Sequence, residues 1–343
     1  RRICLATMSR STPNTAADSA VHVAVGVITD GSQVLVSQRG VGSHQAGKWE
    51  FPGGKLRADE SPREALAREL EEELGVQVRS AYPLIQIRHT YPDKQVLLDV
   101  WRVTDYGGVP HGRESQAIDW VNRDRLTKLD LPAANKAIVA AACLPALYVI
   151  SDAHGLGAGV FLRKLERGLK AGVRLVQLRE PHLSEQAYRN LAQQVGDLCR
   201  RHHAKLLLNA RPAIVVDCNA DGIHLNSQRL RALTTRPLTE NHWVGASVHD
   251  KEELEIASRL GVDFVALAPV LATSSHPKAT PLGWQEFEEL CATVNAPVYA
   301  LGGMRAEHLL AARNVGAQGL AMIRGVWDAG DIEGVVRTIE GAV

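Results

Sequence analysis

Cysteine is scarce and scattered in this chain. Cys4, Cys143, Cys199, Cys218 and Cys291 are odd in number and form no C-x-x-C pair. That excludes a disulfide framework or a zinc knuckle and points to a reducing, cytoplasmic setting. Long apolar runs are also missing. None approaches the ~20 residues that cross a bilayer, so a membrane span is not expected. Neither sign of charge dominates: the formal net charge is +1, which gives no electrostatic reason to bind nucleic acid directly or to lie on an anionic membrane. Residues 1–20 lack a continuous apolar segment and read as a disordered tail rather than a signal peptide. No Pro/Gly/Ser-rich linker interrupts the chain. The stretch from Ala140 to Leu147 is short and apolar, so two packed units are expected rather than two swinging ones.

With 343 residues, two domains fit comfortably. The most informative stretch runs from Gly53 to Val76. It reads as a glycine turn, a loop, and a helix opened by Ser61-Pro62 and closed by Gly75. Glu69, Glu72 and Glu73 are spaced i, i+3 and i+4 and therefore share one helix face. Crowded carboxylates of this kind repel unless a cation sits among them, and oxygen ligands suit Mg²⁺, with Mn²⁺ as a substitute. The stretch follows G-x5-E-x7-R-E-U-x-E-E-x-G-U without a gap (U, bulky aliphatic), from Gly54 and Glu60 through Arg68-Glu69 and Glu72-Glu73 to Gly75-Val76. This is the Nudix box, and this part of the chain resembles a Nudix hydrolase.

The surrounding sequence predicts strands at Val21 to Ile28, Gln33 to Gln38, Leu84 to His89, Gln95 to Val103 and Asp119 to Val121, with a helix opened by Pro132 to Asn135. Together they make a mixed sheet with a helix on each side, an α/β/α sandwich over residues 21–143. Gln38-Arg39, Glu50 to Lys55, Tyr91 to Asp93, Glu114 and Pro132 to Asn135 sharpen the resemblance to MutT-type members, the 8-oxo-dGTP diphosphatases. That resemblance implies metal ligands at the Gly53 carbonyl, Glu69, Glu72, Glu73 and Glu114. It implies catalytic work by Glu69, Glu72 and Glu114, and a nucleotide pocket of Arg39, His44, Glu50, Phe51, Pro52, Gly53 and Asn135. Lys94 departs from the arginine that better-known members carry. On chemistry alone, Arg39 can meet a phosphate or sugar oxygen, and Asn135 offers both a donor and an acceptor to a purine edge. Arg68 is expected to pair with Glu60, and Glu69 or Glu114 to act as general base.

From residue 144 to 343 the pattern changes to about eight short apolar strands alternating with helices, the signature of a (β/α)₈ TIM barrel. The strand ends carry Gln177 to Glu180, Asn209 to Arg211, Gly222 to Leu225, Gly245 to His249, Gly302-Gly303 and Ile323 to Gly325. This series resembles thiamine phosphate synthase and its TenI-like relatives. Arg179, Ser247, Lys278, Gly302 and Gly303 are the candidates for a phosphorylated ligand. Pro181 stands where the synthases carry a lysine, Ala210 replaces a Mg²⁺ aspartate, and Arg229 falls near the second. Those departures argue against synthase chemistry, which must neutralise a diphosphate leaving group.

The expected function is a Mg²⁺-dependent pyrophosphohydrolase on a small nucleotide, 8-oxo-dGTP above others, serving nucleotide-pool sanitation and mutation avoidance. The alternatives are another nucleotide or thiamine-related diphosphate as substrate, a bifunctional enzyme with synthase activity, or a barrel that binds a phosphate ligand without catalysis.

Overall fold

The computed structural model describes residues 20–40, 45–273 and 278–341. His44 and the tail expected at 1–20, apart from its last residue, lie outside the described residues.

The N-terminal part is a seven-stranded mixed sheet: β1 (Val21–Asp30), β2 (Gln33–Gln38), β3 (Trp49–Glu50), β4 (Gly53–Lys55), β5 (Gln77–Thr90), β6 (Gln95–Gly107) and β7 (Ile118–Asn122). The central pair β1–β6 is parallel, with Val21 opposite Val96 and Ile28 opposite Val103, while the other pairings are antiparallel. Helix α1 (Pro62–Leu74) begins with a capping box. The Glu64 N–H donates to Ser61 Oγ, and the Ser61 N–H donates to Glu64 Oε2. Its Ala65, Leu66, Leu70 and Leu74 are buried against Ala24, Ile28, Leu35 and Val103 on one face of the sheet. Burying such a leucine is worth about 1.5–3 kcal/mol, so this stripe fixes which way the glutamates point. On the other face, α2 (Lys136–Cys143) packs Ile138, Val139 and Ala142 with Val25, Val36, Phe51 and Val100. One detail differs from expectation. Pro132 to Asn135 does not open α2; Ala133–Asn135 is a separate 3₁₀ turn, and the α-helix starts at Lys136. Proline tolerates that tight turn, and Asn135, its last residue, sits at the N-cap of α2 in helical backbone without a side-chain capping bond.

The C-terminal part is a closed barrel of eight parallel strands, β8 (Leu147–Ile150), β9 (Leu175–Leu178), β10 (Lys205–Leu208), β11 (Gly222–Leu225), β12 (Trp243–Val248), β13 (Phe264–Leu267), β14 (Val298–Leu301) and β15 (Gly319–Met322). Alternation along each strand sorts the side chains. Tyr148, Leu207, Phe264, Tyr299 and Ala321 fill the interior, whereas Leu147, Val149, Leu206 and Leu208 meet the surrounding helices.

The two parts are packed together. The contacts come from barrel residues that precede their strands. Gln318 Nε2 donates to the carbonyls of Ala141 (3.1 Å) and Leu144 (2.8 Å). Asn295 exchanges two hydrogen bonds with the Arg88 backbone, and Lys136 pairs with Glu240 at 2.7 Å. The sheet is therefore seated on the N-terminal end of the barrel, on the side of α2. The acidic helix α1 lies on the opposite face of the sheet.

Candidate active site

The Glu50 to Lys55 segment is held against β1, where Val25 pairs with Gly53 and Ala24 with Gly54. Both glycines are required by close approach. A Cβ on Gly53, whose φ is 144°, would stand 2.1 Å from the Ala24 carbonyl oxygen. A Cβ on Gly54 would stand 2.2 Å from Glu69 Cδ, so the missing side chain is the space that the Glu69 carboxylate occupies.

Arg68 organises the acidic face. Its Nε and Nη2 reach Glu60 Oε1 and Oε2 at 2.7 and 2.8 Å, and its Nη1 donates to Glu69 Oε1 at 2.7 Å and Glu72 Oε2 at 3.1 Å. The guanidinium draws the Glu60 carboxyl down to about 2 and is itself held firmly protonated by these partners. The Arg68–Glu60 pairing expected from the box is thus present, and Arg57 adds a 3.1 Å contact to Glu72. Glu73 faces inward instead. It accepts the Gly53 N–H at 3.1 Å, and burial raises its carboxyl to about 8, assisted by the charges of Glu50, Glu69 and Glu114. Burial likewise raises Glu50, although the neighbouring Arg39 bonds to it and opposes the rise. Glu114 is exposed on a loop that Gln116 ties back, its Nε2 donating to the Glu73 carbonyl and its Oε1 accepting from the Glu114 N–H.

Glu50, Glu69, Glu73 and Glu114 therefore share one electrostatic environment. Among the described residues, however, no three acidic, histidine or cysteine side chains stand assembled as a ready cation cage. Arg68 occupies Glu69 and Glu72 oxygens that such a cage would use. Phe51 is 3% exposed and belongs to the hydrophobic core with Ala134 and Ile138, so it backs the site from inside. Asn135 is 8% exposed, and its side chain makes no capping bond to α2.

The barrel mouth has a different character. Arg179 is exposed, and Glu180 is buried, accepting from Ser151 Oγ (2.6 Å) and from the Ala153 and His154 N–H groups. Arg229 donates to Asn209 at 2.6 Å, placing a guanidinium beside the strand-end asparagine. Gly302 and Gly303 both have positive φ, at 100° and 70°. Behind the mouth runs a polar chain that ties the phosphate candidate Ser247 to His224, Tyr148 and Gln177, a link the sequence does not show. Gln177 Nε2 donates to the Tyr148 hydroxyl (2.9 Å), which meets His224 Nδ1 (3.0 Å), and His224 Nε2 meets Ser247 Oγ (2.9 Å). Complete burial pushes the imidazole down to about 3, so it is neutral at physiological pH. The available signal was a lone histidine inside the apolar strand Gly222–Leu225.

Known proteins divide along the same line. The profile of the family described as "NUDIX domain" matches residues 24–141, and that described as "Thiamine monophosphate synthase" matches 147–326. A protein of Aquifex aeolicus, provisionally named thiamine-phosphate synthase 2, is 41% identical over 52% of this chain and 96% of its own length. Thiamine phosphate pyrophosphorylase of Pyrococcus furiosus shares the barrel fold at 23% identity and a TM-score of 0.50, over 61% of this chain and 96% of that one. MutT from Aliivibrio salmonicida and Vibrio cholerae is 34% identical over 36% of this chain and 97% of that one, with a TM-score of 0.32. The NUDIX domain is that of a hydrolase acting on diphosphate bonds. Through its barrel the chain belongs to the thiamine monophosphate synthase family, and it carries a NUDIX hydrolase domain in front of that barrel.

Proposed function

We propose that the N-terminal domain hydrolyses 8-oxo-dGTP to 8-oxo-dGMP and diphosphate, removing an oxidised purine from the nucleotide pool. The observation that carries this reading is the intact box folded so that Glu69, Glu73 and the Gly53–Gly54 turn converge. The residues fit a divalent cation. Glu73 is a largely buried carboxyl raised to about 8 beside three other carboxylates, a hard-oxygen donor set that suits Mg²⁺. Glu69, Glu72, Glu73, Glu114 and the Gly53 carbonyl would hold it, and a bound Mg²⁺ supplies charge neutralisation on the phosphates and a more acidic water.

The chain's own residues do the rest. Glu69 or Glu114 accepts the proton of the attacking water as the water oxygen bonds to the α- or β-phosphorus and that phosphorus's bond to the oxygen bridging the two breaks, which gives 8-oxo-dGMP and diphosphate. Arg68 holds Glu60, Glu69 and Glu72 in register. Arg39, bonded to Glu50, meets the nucleotide's phosphate or sugar, and Asn135 reads the purine edge with its amide. Turnover of 8-oxo-dGTP against dGTP tests the substrate. Equal kcat/KM for the two would remove the sanitising role and leave a less selective diphosphohydrolase.

For the barrel we infer binding of a phosphorylated ligand at Arg179, Ser247, Gly302 and Gly303 without thiamine phosphate synthesis. The Arg229–Asn209 bond favours this, since a cation stands at the mouth where synthase chemistry calls for metal-binding carboxylates. Formation of thiamine phosphate by the full chain from its thiazole and pyrimidine phosphates would overturn it.

A further inference from the structure

Both carboxylate oxygens of Glu72 are taken, each by a different guanidinium. Oε1 accepts from Arg57 Nη2 at 3.1 Å and Oε2 from Arg68 Nη1 at 3.1 Å. The two arginines are held very differently. The Arg68 side chain is 16% exposed and bonds Glu60, Glu69 and the Lys55 carbonyl besides Glu72, so it keeps its place if Glu72 lets go. The Arg57 side chain is 64% exposed, and among the described residues Glu72 is the partner of its guanidinium.

The loop that carries Arg57 is tied down at its backbone. The Arg57 N–H donates to Glu60 Oε2 at 2.9 Å, and its carbonyl accepts the Glu60 N–H at 3.3 Å, closing a turn in which Asp59 has a φ of 64°. Arg68 grips the same Glu60 carboxylate. What can move is the long side chain, whose exposed ion pair contributes little and is readily exchanged.

A cation on Glu72 Oε1 would sit about 2.1 Å from that oxygen. The Arg57 nitrogen, 3.1 Å from the same oxygen, would then stand roughly 5 Å from the cation or less. Positive charges that close repel, so the two compete for Oε1. A phosphate oxygen on the same cation lies within about 4 Å of Oε1, inside the reach of the displaced arm. A guanidinium fork suits that partner.

Taking Glu72 as a cation ligand, as proposed above, we infer that Arg57 is a latch on the acidic helix. It occupies Glu72 Oε1 in the empty site, gives it up when a divalent cation binds, and turns to a phosphate oxygen of the incoming nucleotide. Arg57 therefore opposes the metal and favours the substrate.

Mn²⁺ binding to the full chain without nucleotide, followed by electron paramagnetic resonance of the free ion, reads the first half. Arg57→Ala should tighten Mn²⁺ by ~2- to 5-fold, the scale of one exposed ion pair. Arg63→Ala removes an exposed cation from the first turn of the same helix and should leave the affinity unchanged. Kinetics at saturating Mg²⁺ read the second half. In Arg57→Ala, KM for whichever nucleoside triphosphate is turned over should rise ~3- to 10-fold with kcat little changed. Arg57→Lys, a charge without the fork, should bring the Mn²⁺ affinity back toward wild type and recover only part of KM.

Glu72→Gln separates the latch from the site beneath it. Mn²⁺ binding that Glu72→Gln weakens and Arg57→Ala leaves unchanged would overturn the latch and spare the cation site. Binding indifferent to Glu72→Gln would remove both. Equal gains from Arg57→Ala and Arg63→Ala would reduce the effect to general charge removal and refute the latch, and a tighter metal with unchanged KM would refute the phosphate contact.

Discussion

Acid should destabilise the barrel through one side chain. His224 is fully buried between Tyr148 and Ser247, and its imidazole is held at about 3 against an ordinary 6.5. Between those two values the unfolded chain takes up a proton that the folded chain refuses. Stability from this group is therefore complete above about pH 6.5 and is lost as the pH falls toward about 3. At about 1.36 kcal/mol per pH unit, moving from neutral to about pH 4.5 costs at most ~3 kcal/mol. For a domain of this size that is roughly 6–12 °C in unfolding temperature. His224→Asn keeps an acceptor for the Tyr148 hydroxyl and loses the contact to Ser247. It should unfold below wild type at neutral pH, and the gap should close by roughly 3 kcal/mol at about pH 4.5 because nothing remains there to protonate. Scanning calorimetry of both proteins at the two pH values measures this. Parallel losses in wild type and variant would show that His224 does not carry the acid sensitivity.

Gly54→Ala puts a methyl where Glu69 Cδ now stands 2.2 Å away. Diphosphohydrolase kcat should fall at least ~100-fold with circular dichroism unchanged, because an ångström of displacement at a reacting group is that costly. Glu69→Gln removes a ligand and a candidate base while keeping the shape, so kcat should fall by ~10²–10⁴-fold with little change in thermal unfolding; wild-type turnover would refute its assignment. Divalent-metal removal by EDTA should abolish hydrolysis, and Mg²⁺ should restore it, read in a pyrophosphate-release assay. Gln318→Ala removes a cross-domain hydrogen bond to the Ala141 carbonyl and a second one to Leu144, the first residue of the barrel segment. It should cost about 1–3 kcal/mol, seen as a lower calorimetric transition with hydrolysis kinetics retained.

Legibility in the sequence followed the range of the interaction. Local signals were complete for α1, where Ser61, Pro62, Glu64 and Gly75 lie within the helix or beside it, and for Gln33–Gln38, whose limits are those the pattern predicts. All eight barrel strands were visible as short apolar segments, because strands buried on both faces carry few polar residues. The parallel pairing of β1 with β6 was not visible, since no local feature links Val21 to Val96. Residue-type chemistry suggested the Arg68–Glu60 pair, but the spacing did not reveal that Arg68 would also bond Glu69 and Glu72. The sequence places Asn135 in the segment that opens a helix. The 3₁₀ turn over Ala133–Asn135, with Ala134 buried in the sheet's core cluster, leaves Asn135 at the helix start in helical backbone and without a capping bond.

The seating of the sheet on the barrel's N-terminal end has a consequence for traffic. The acidic helix lies on the sheet face turned away from the barrel, and the barrel mouth opens at the opposite end of its strands. The two proposed sites therefore open on opposite ends of the molecule, and a product released from one meets solvent before it meets the other. What the fusion secures is stoichiometry, one hydrolase domain made for every barrel, rather than transfer of an intermediate.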